Sequence, residues 1–264
     1  METLLDAPPS AVTQLLRRFK DSVPITPDEL PVVRELGWEI RTVRRRQAIL
    51  TEGAKNRAVY FVLDGYLIRY RILRDGQRQI VDLAIPGDFA GVPSCFFQDS
   101  LYTIKALTNA TVAVAPLERL VALFETQPRL AAKIFWSFSC DAAIHAEHLI
   151  VVGRRAAHER IAHFLLELLT RLQAVGLADE HSFELPLSQE VIGDALGLSL
   201  AYVNRVLRRL ADDGLVTIKD QKVTISDVDE LAFMADFERG YLKPLPISEF
   251  GTASWNTIGV ESRI

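Results

Sequence analysis

Gln189–Arg208 reads QEVIGDALGLSLAYVNRVLR, and its spacing predicts a helix-turn-helix. A first helix from Gln189 to Leu196 turns Ile192, Ala195 and Leu196 inward. Gly197 then makes the turn, because a left-handed residue there has no Cβ to clash. Leu198 plugs the corner between the helices, and Ser199 is placed to cap the second helix by accepting from a free backbone N–H. Val203, Val206, Leu207 and Leu210 recur at i, i+3, i+4 and i+7, which buries one stripe of that helix. The other face carries Ala201, Tyr202, Asn204, Arg205, Arg208 and Arg209. Arginine can bond bidentately to guanine and asparagine to adenine, so this face suits base edges and phosphates. The bland alternative is an αα-hairpin with a solvated basic face. Gly193 argues against it, since a second small residue four before the turn glycine lets the helices close up.

The chain around this motif has 264 residues, enough for two domains with separate cores. Its 49% hydrophobic and 24% charged content are those of an ordinary globular protein. METLLDAPPS has neither a basic n-region nor an apolar h-region, so no secretory signal is expected. No apolar run approaches membrane-spanning length. The two cysteines, Cys95 and Cys140, form no disulfide framework and no zinc spacing. A reducing cytoplasm is the expected location. A net charge of −4 counts against tight nonspecific binding to DNA. The basic residues are instead concentrated locally, at Arg205, Arg208 and Arg209.

Residues 1–36 read as a helical lead-in, with Leu15, Leu16 and Phe19 in one stripe and Thr26 or Asp28 able to cap a second helix. Residues 37–127 change character. Short segments such as AVYFVLDG, YLIRYRIL, RQIVDLAI and ATVAVAP are separated by turn glycines at Gly53, Gly65, Gly76 and Gly87. That pattern predicts an antiparallel barrel or sandwich, with Arg74-Asp75-Gly76 as a hairpin turn. Pro128 suits the first turn of a long helix over 128–153. There Phe135, Phe138, Ala142, His145, Leu149 and Val152 alternate three and four apart, a seam expected to pair with a twin. Gly153 is expected to mark the hinge into a domain over 154–242. In that domain LVTI and KVTI flank Lys219-Asp220-Gln221 as a small wing, with Lys219 and Lys222 available to phosphates. Ser226 is expected to cap a final helix. Residues 243–264 lack periodicity and read as a tail.

LDGYLIRYR, DGQRQI, PGDFAG, VGRRAAHERIAHFLLEL and LSQEVIGDALGLSLAYVNRVLRRL together resemble the CRP/FNR family of bacterial transcription regulators. The last two stretches are most similar to α-proteobacterial members. The resemblance implies an α+β chain: an N-terminal antiparallel β-roll of the cyclic-nucleotide-binding type, a long dimerisation helix and a C-terminal winged helix-turn-helix. It also implies a homodimer on palindromic double-stranded DNA, an effector or sensing β-roll, and recruitment or blocking of RNA polymerase. Arg205 matches the family's base-reading arginine, while Ala201 stands where many members carry Glu. Members that bind cyclic AMP follow the phosphate loop with an Arg-Ser/Thr-Ala motif. Here Gly87-Asp88-Phe89 starts the loop and Ser100-Leu101-Tyr102 replaces that motif. An effector pocket is accordingly expected around Gly87, Asp88, Phe89 and Tyr102. No Arg or Lys lies between Ala84 and Ile104, with Lys105 the nearest cation in sequence, so cyclic AMP is not the expected ligand. No cysteine precedes Cys95 to hold an oxygen-sensing cluster, and none of the five His precedes His145 to bind haem in the roll. No cofactor is expected.

Other chemistries read weakly. His145 and His148 lie three apart and could hold a metal or titrate near neutral pH, though hydrogen-bonded interface histidines are commoner. Cys95 and Cys140 read as structural thiols rather than sensors. AIHAEH over 143–148 lacks the H-E-x-x-H spacing, and no Ser–His–Asp grouping or phosphate-cradling glycine loop stands out, so no enzyme is expected.

Overall fold

The structure is a computed structural model that describes residues 11–19 and 24–243. Expectations for the first ten residues and for the tail beyond Lys243 lie outside the described residues. Two short helices, α1 (Ala11–Phe19) and α2 (Leu30–Glu35), lead into strands β1 (Glu39–Val43), β2 (Ala48–Leu50), β3 (Ala58–Asp64), β4 (Leu67–Ile72), β5 (Arg78–Ala84) and β6 (Phe89–Ala90). Helix α3 (Val92–Cys95), β7 (Thr103–Ala106) and β8 (Ala110–Pro116) complete the roll. Helices α4 (Leu117–Thr126), α5 (Pro128–Arg154) and α6 (Ala157–Ala174) follow. The C-terminal part holds β9 (Ser182–Glu184), α7 (Gln189–Leu196), α8 (Leu200–Asp212), β10 (Val216–Lys219), β11 (Lys222–Ile225), α9 (Val228–Ala235) and a 3-10 turn, Arg239–Leu242.

The roll is two four-stranded antiparallel sheets, ordered β1-β8-β3-β6 and β2-β7-β4-β5. Tyr60, Val62, Leu67, Ile104, Val112 and Val114 fill the space between them. AVYFVLD in β3 is apolar without alternation because both its faces are covered. Tyr60 and Val62 point between the sheets, while Val59, Phe61 and Leu63 meet α1, α2, α4 and α5 on the outside. The β4–β5 hairpin closes through Arg74-Asp75-Gly76 as its residues require, with Gly76 at φ 85°.

The outer face of the other sheet carries the C-terminal domain. Ile68, Ile80, Leu83 and Ile85 share one buried core with α6, α7 and α8. Polar bonds reinforce the contact: Arg78 Nε donates to Asp194 Oδ2 at 2.7 Å and Gln79 Nε2 to the Ala195 carbonyl at 3.2 Å.

Three local expectations are corrected. Gly153 lies within α5, and the chain breaks instead at Arg155, whose ψ of 149° is extended. Asp227, not Ser226, caps α9, its carboxylate accepting from the Glu230 N–H at 2.9 Å. Glu29, rather than Thr26 or Asp28, occupies the cap position of α2, and its carboxylate is ion-paired with Lys133. Strand β9, which widens the wing to three strands in the order β10-β11-β9, was not expected.

Candidate nucleic-acid interface

Ser188 and Ser199 cap α7 and α8, accepting from the N–H groups of Val191 and Tyr202 at 3.3 Å each. Gly197 takes the left-handed turn at φ 64°. A Cβ on Gly193 would stand 2.6 Å from the Leu198 carbonyl oxygen, so only glycine lets the corner close. Val203, Val206, Leu207 and Leu210 are buried as the stripe requires.

The opposite face of α8 is open. Ala201, Tyr202, Asn204, Arg205, Arg208 and Arg209 are all exposed. The Arg205 guanidinium lies 5.4 Å from the Tyr202 ring centroid, a cation–π contact that extends it outward. Among the described residues neither Arg205 nor Arg208 has an ion-pair partner. Arg209 is 3.6 Å from Asp213. The Asn204 amide donates back to the Leu200 carbonyl at 3.2 Å, a bond it must release to reach a base. The α8 N-terminus, at Ser199, adds the partial positive charge of unpaired N–H groups. In the wing, Asp220 and Gln221 are both left-handed (φ 50° and 65°), giving a tight hairpin that holds Lys219 and Lys222 at its tip. Lys222 lies 3.6 Å from Asp179, and both side chains are at least half exposed.

The expected seam on α5 divides in two. Phe135 and Leu149 are 63% and 76% exposed, and Ala142 is exposed too. Phe138 instead packs edge-on against Phe89 at 5.3 Å. His145 Nε2 sits 2.7 Å from an Arg69 guanidinium nitrogen, and Val152 packs beside Gly197. The open stripe of α5 runs one residue later at those three positions: Ala132, Phe135, Ser139, Ala142, Ala146, Leu149 and Gly153 are exposed, alternately three and four apart. The Ser139 hydroxyl donates to the Phe135 carbonyl at 3.1 Å, so it brings no unpaired polar group to this face. Hydrophobicity favours Phe138 and Val152 over Ser139 and Gly153, so the apolar pattern of the sequence marks the inner residues rather than the open stripe.

The effector pocket is also corrected. Gly87 and Asp88 do not line the cavity that the roll forms against α5. A Cβ on Gly87 would meet Val175 at 3.1 Å. Asp88 is buried, bonded to Arg171 at 2.6 Å and ion-paired with Arg18 at 3.5 Å, so it ties α1 and α6 to the roll. Phe89 does line a cavity of about 160 Å³ between the roll and α5, together with Arg69, Asp82, Asp141 and His145. Tyr102 stands next to it, 5.3 Å from Arg69. Arg69 is not legible as a pocket residue in the sequence, because β4 delivers it from a strand remote from the Gly87 loop. Its charge is opposed by Asp82 at 3.6 Å. Burial lifts the nearby Asp141 carboxyl to about 7 against the pull of Arg18. A cyclic phosphodiester placed here meets one guanidinium and two acids, which is a poor fit for an anion.

Buried charge elsewhere is paired. Glu167 accepts from His148 at 2.9 Å, Arg171 at 3.2 Å and Tyr241 at 3.0 Å. Burial on its own would raise that carboxyl, but His148 above all, with Arg171 and His163, holds it at about 2. Thus His145 and His148 serve different partners, and among the described residues no group of three His, Cys, Asp or Glu could hold a metal ion. Burial raises the Cys95 and Cys140 thiols to about 11, which keeps both protonated at neutral pH.

Residues 40–127 match the Cyclic nucleotide-binding domain family and residues 159–234 the Crp-like helix-turn-helix domain. The chain is 33% identical over 182 residues to the nitrogen fixation regulation protein FixK of Bradyrhizobium diazoefficiens, covering 69% of this chain and 75% of FixK. It is 27% identical to the transcriptional activator protein anr of Pseudomonas aeruginosa, over 80% of this chain and 86% of that protein. Among solved structures, FixK2 from Bradyrhizobium japonicum superposes with a TM-score of 0.65 at 27% identity, covering 74% of this chain and 96% of that one.

Proposed function

The chain belongs to the CRP/FNR family of DNA-binding transcription regulators, and from that premise we propose that it binds a palindromic operator as a homodimer, with Arg205 reading bases and without cyclic AMP as its signal. One observation carries the reading: Arg205 is exposed, free of ion pairs among the described residues, and held on the face of α8 opposite a fully buried stripe. Tyr202, Asn204, Arg208 and Arg209 surround it, with Ser199 and Ala201 at the helix entry. Lys219 and Lys222 at the wing tip suit the flanking phosphates. Ala201 offers only a methyl group where the family resemblance expects Glu in many members, so their half-site does not carry over to this chain.

The open stripe from Ala132 to Gly153 supports the homodimer. Its small residues let two α5 helices approach closely, with Phe135 and Leu149 as the large anchors. A dimer sets two α8 helices against two half-sites, which is what a palindrome requires. By the same family logic the bound dimer recruits or blocks RNA polymerase. No helix among the described residues is long and apolar enough to cross a membrane, and a regulator acting on bacterial DNA works, on this reading, in the cytoplasm.

The test is a gel-shift titration on a fragment recovered by genome-wide capture with ligand-free protein. Binding that falls steeply with salt and is lost on scrambling one half-site supports the reading. Equal affinity for the scrambled fragment removes it.

A further inference from the structure

On the flank of α5 away from the roll cavity lies a second, larger cavity of about 550 Å³, walled by α1, α5, α6 and the 3-10 turn after α9. Its lining is strongly basic. Arg17 and Arg18 come from α1, Arg171 from α6, and Arg239 and Lys243 from the end of the described chain, and no Asp or Glu is among the lining residues. Arg18 and Arg171 are anchored from behind by Asp88, Asp141 and Glu167. Arg17, Arg239 and Lys243 have no ion pair among the described residues. The walls also hold three buried N–H groups without an acceptor: Nε of Arg18, Nε of Arg171 and Nε1 of Trp136. Unpaired donors and cations gathered around a cavity favour an acceptor-rich anion.

We propose that this cavity binds a small phosphorylated molecule carrying two or more negative charges, and that it is an effector site separate from the roll. Three cations without an ion pair among the described residues are poorly matched by a single carboxylate, whereas a phosphate monoester or diphosphate supplies the charge and the oxygens that guanidinium forks grip in pairs. The volume suits a ligand of nucleotide size. Position gives the site its consequence. Arg17 belongs to the N-terminal lead-in, while Arg239 and Lys243 close the DNA-binding domain. A ligand bridging them favours the docked arrangement of the two halves and so alters operator affinity.

The test is isothermal titration of the full-length protein with pyrophosphate and with adenosine diphosphate, against inorganic phosphate and neutral adenosine at fixed ionic strength. Saturable binding of the two diphosphates, one per protomer, is expected, with adenosine inert. Arg17→Glu combined with Arg239→Glu is expected to weaken it by about tenfold or more, while Arg17→Lys with Arg239→Lys retains most of it. Melting temperature and ligand-free operator binding are expected to stay at wild-type values in both. Arg45→Glu, in the exposed Arg44–Arg46 turn, controls for adventitious anion binding and is expected to have no effect. The proposal is overturned if no diphosphate binds saturably, if binding survives the Arg17/Arg239 reversal, or if Arg45→Glu abolishes it. Operator binding is measured on the same samples, so a failure of this site is distinguishable from a failure of the DNA-binding reading.

Discussion

Replacing Arg205 by alanine removes a guanidinium and no core contact, because the side chain is exposed and lies against the Tyr202 ring. The variant is expected to keep its fold and lose discrimination between operator and scrambled DNA by ~1–3 kcal/mol per half-site, counted twice in a dimer. Competition gel shifts measure this, and unchanged discrimination takes Arg205 out of base reading. Glu167 is the opposite kind of residue, fully enclosed and holding three donors. Glu167→Gln leaves Arg171 and His148 short of a counter-charge in the interior, and a loss of about 3–5 kcal/mol is expected near neutral pH. The pH dependence follows from the direction of the shifts. Glu167 is held below its ordinary value of 4.5, so its contribution is present above pH 4.5 and is lost as pH falls toward about 2. Burial pulls His148 down, but Glu167 outweighs it and raises the imidazole above 6.5, so that contribution is full below 6.5 and fades as pH rises past the raised value. The gap between wild type and Glu167→Gln in denaturant melts should therefore be widest between about pH 4.5 and 6.5. A gap that does not vary with pH contradicts the pairing.

Among the elements, α5 faces inward and outward at once. Its inner side is buried at Leu130, Ile134, Ile144 and Val151, and its outer stripe is open. Leu149→Lys should leave the protomer folded, since the side chain is 76% exposed there. In a dimer it sets two ammonium groups against each other in an apolar seam, a penalty of several kcal/mol. Sedimentation should show monomer with operator binding lost, and an unchanged dimer contradicts the seam. The sequence made this helix legible but not its rotation. A 3-4 repeat can be drawn through Phe138 and Val152 or through Ser139 and Gly153; hydrophobicity favours the first, and only the packing partners Phe89 and Gly197 show that it faces inward. The helix-turn-helix was legible to the residue, because Gly193, Gly197, Ser199 and the Val203 stripe each answer to a local steric or hydrogen-bonding need. The roll loop was not. Gly87-Asp88 reads as a ligand turn, yet Asp88 is claimed by Arg171, 83 residues away in sequence, and no local pattern announces such a contact. At the α7–β5 contact, Arg78→Glu sets a third carboxylate against Asp194 and Glu190. A fall of about 2–4 °C in Tm is expected, with faster amide exchange in α7 and α8 still folded. Unchanged exchange in α7 contradicts the docking role of Arg78.

For the whole molecule, the two halves share a core through Ile80, Leu83 and Leu196. Composition conveyed none of this, and the net charge of −4 even argued against a DNA partner. What reconciles the two is segregation: acidic residues such as Glu167 and Asp88 are held in buried pairs, while Arg205 and Arg208 lie on the surface with no ion pair among the described residues. Sequence-specific operator binding by a dimer, in the absence of cyclic AMP, is the central claim, and fluorescence anisotropy tests it most directly. The captured operator and its scrambled counterpart are titrated with purified protein at several salt concentrations, with and without cyclic AMP. The account predicts one dimer per operator, a preference over scrambled DNA of about 10³ or more, affinity that falls with salt, and curves unmoved by cyclic AMP. Equal affinity for both DNAs, or specific binding that appears only when cyclic AMP is added, contradicts it.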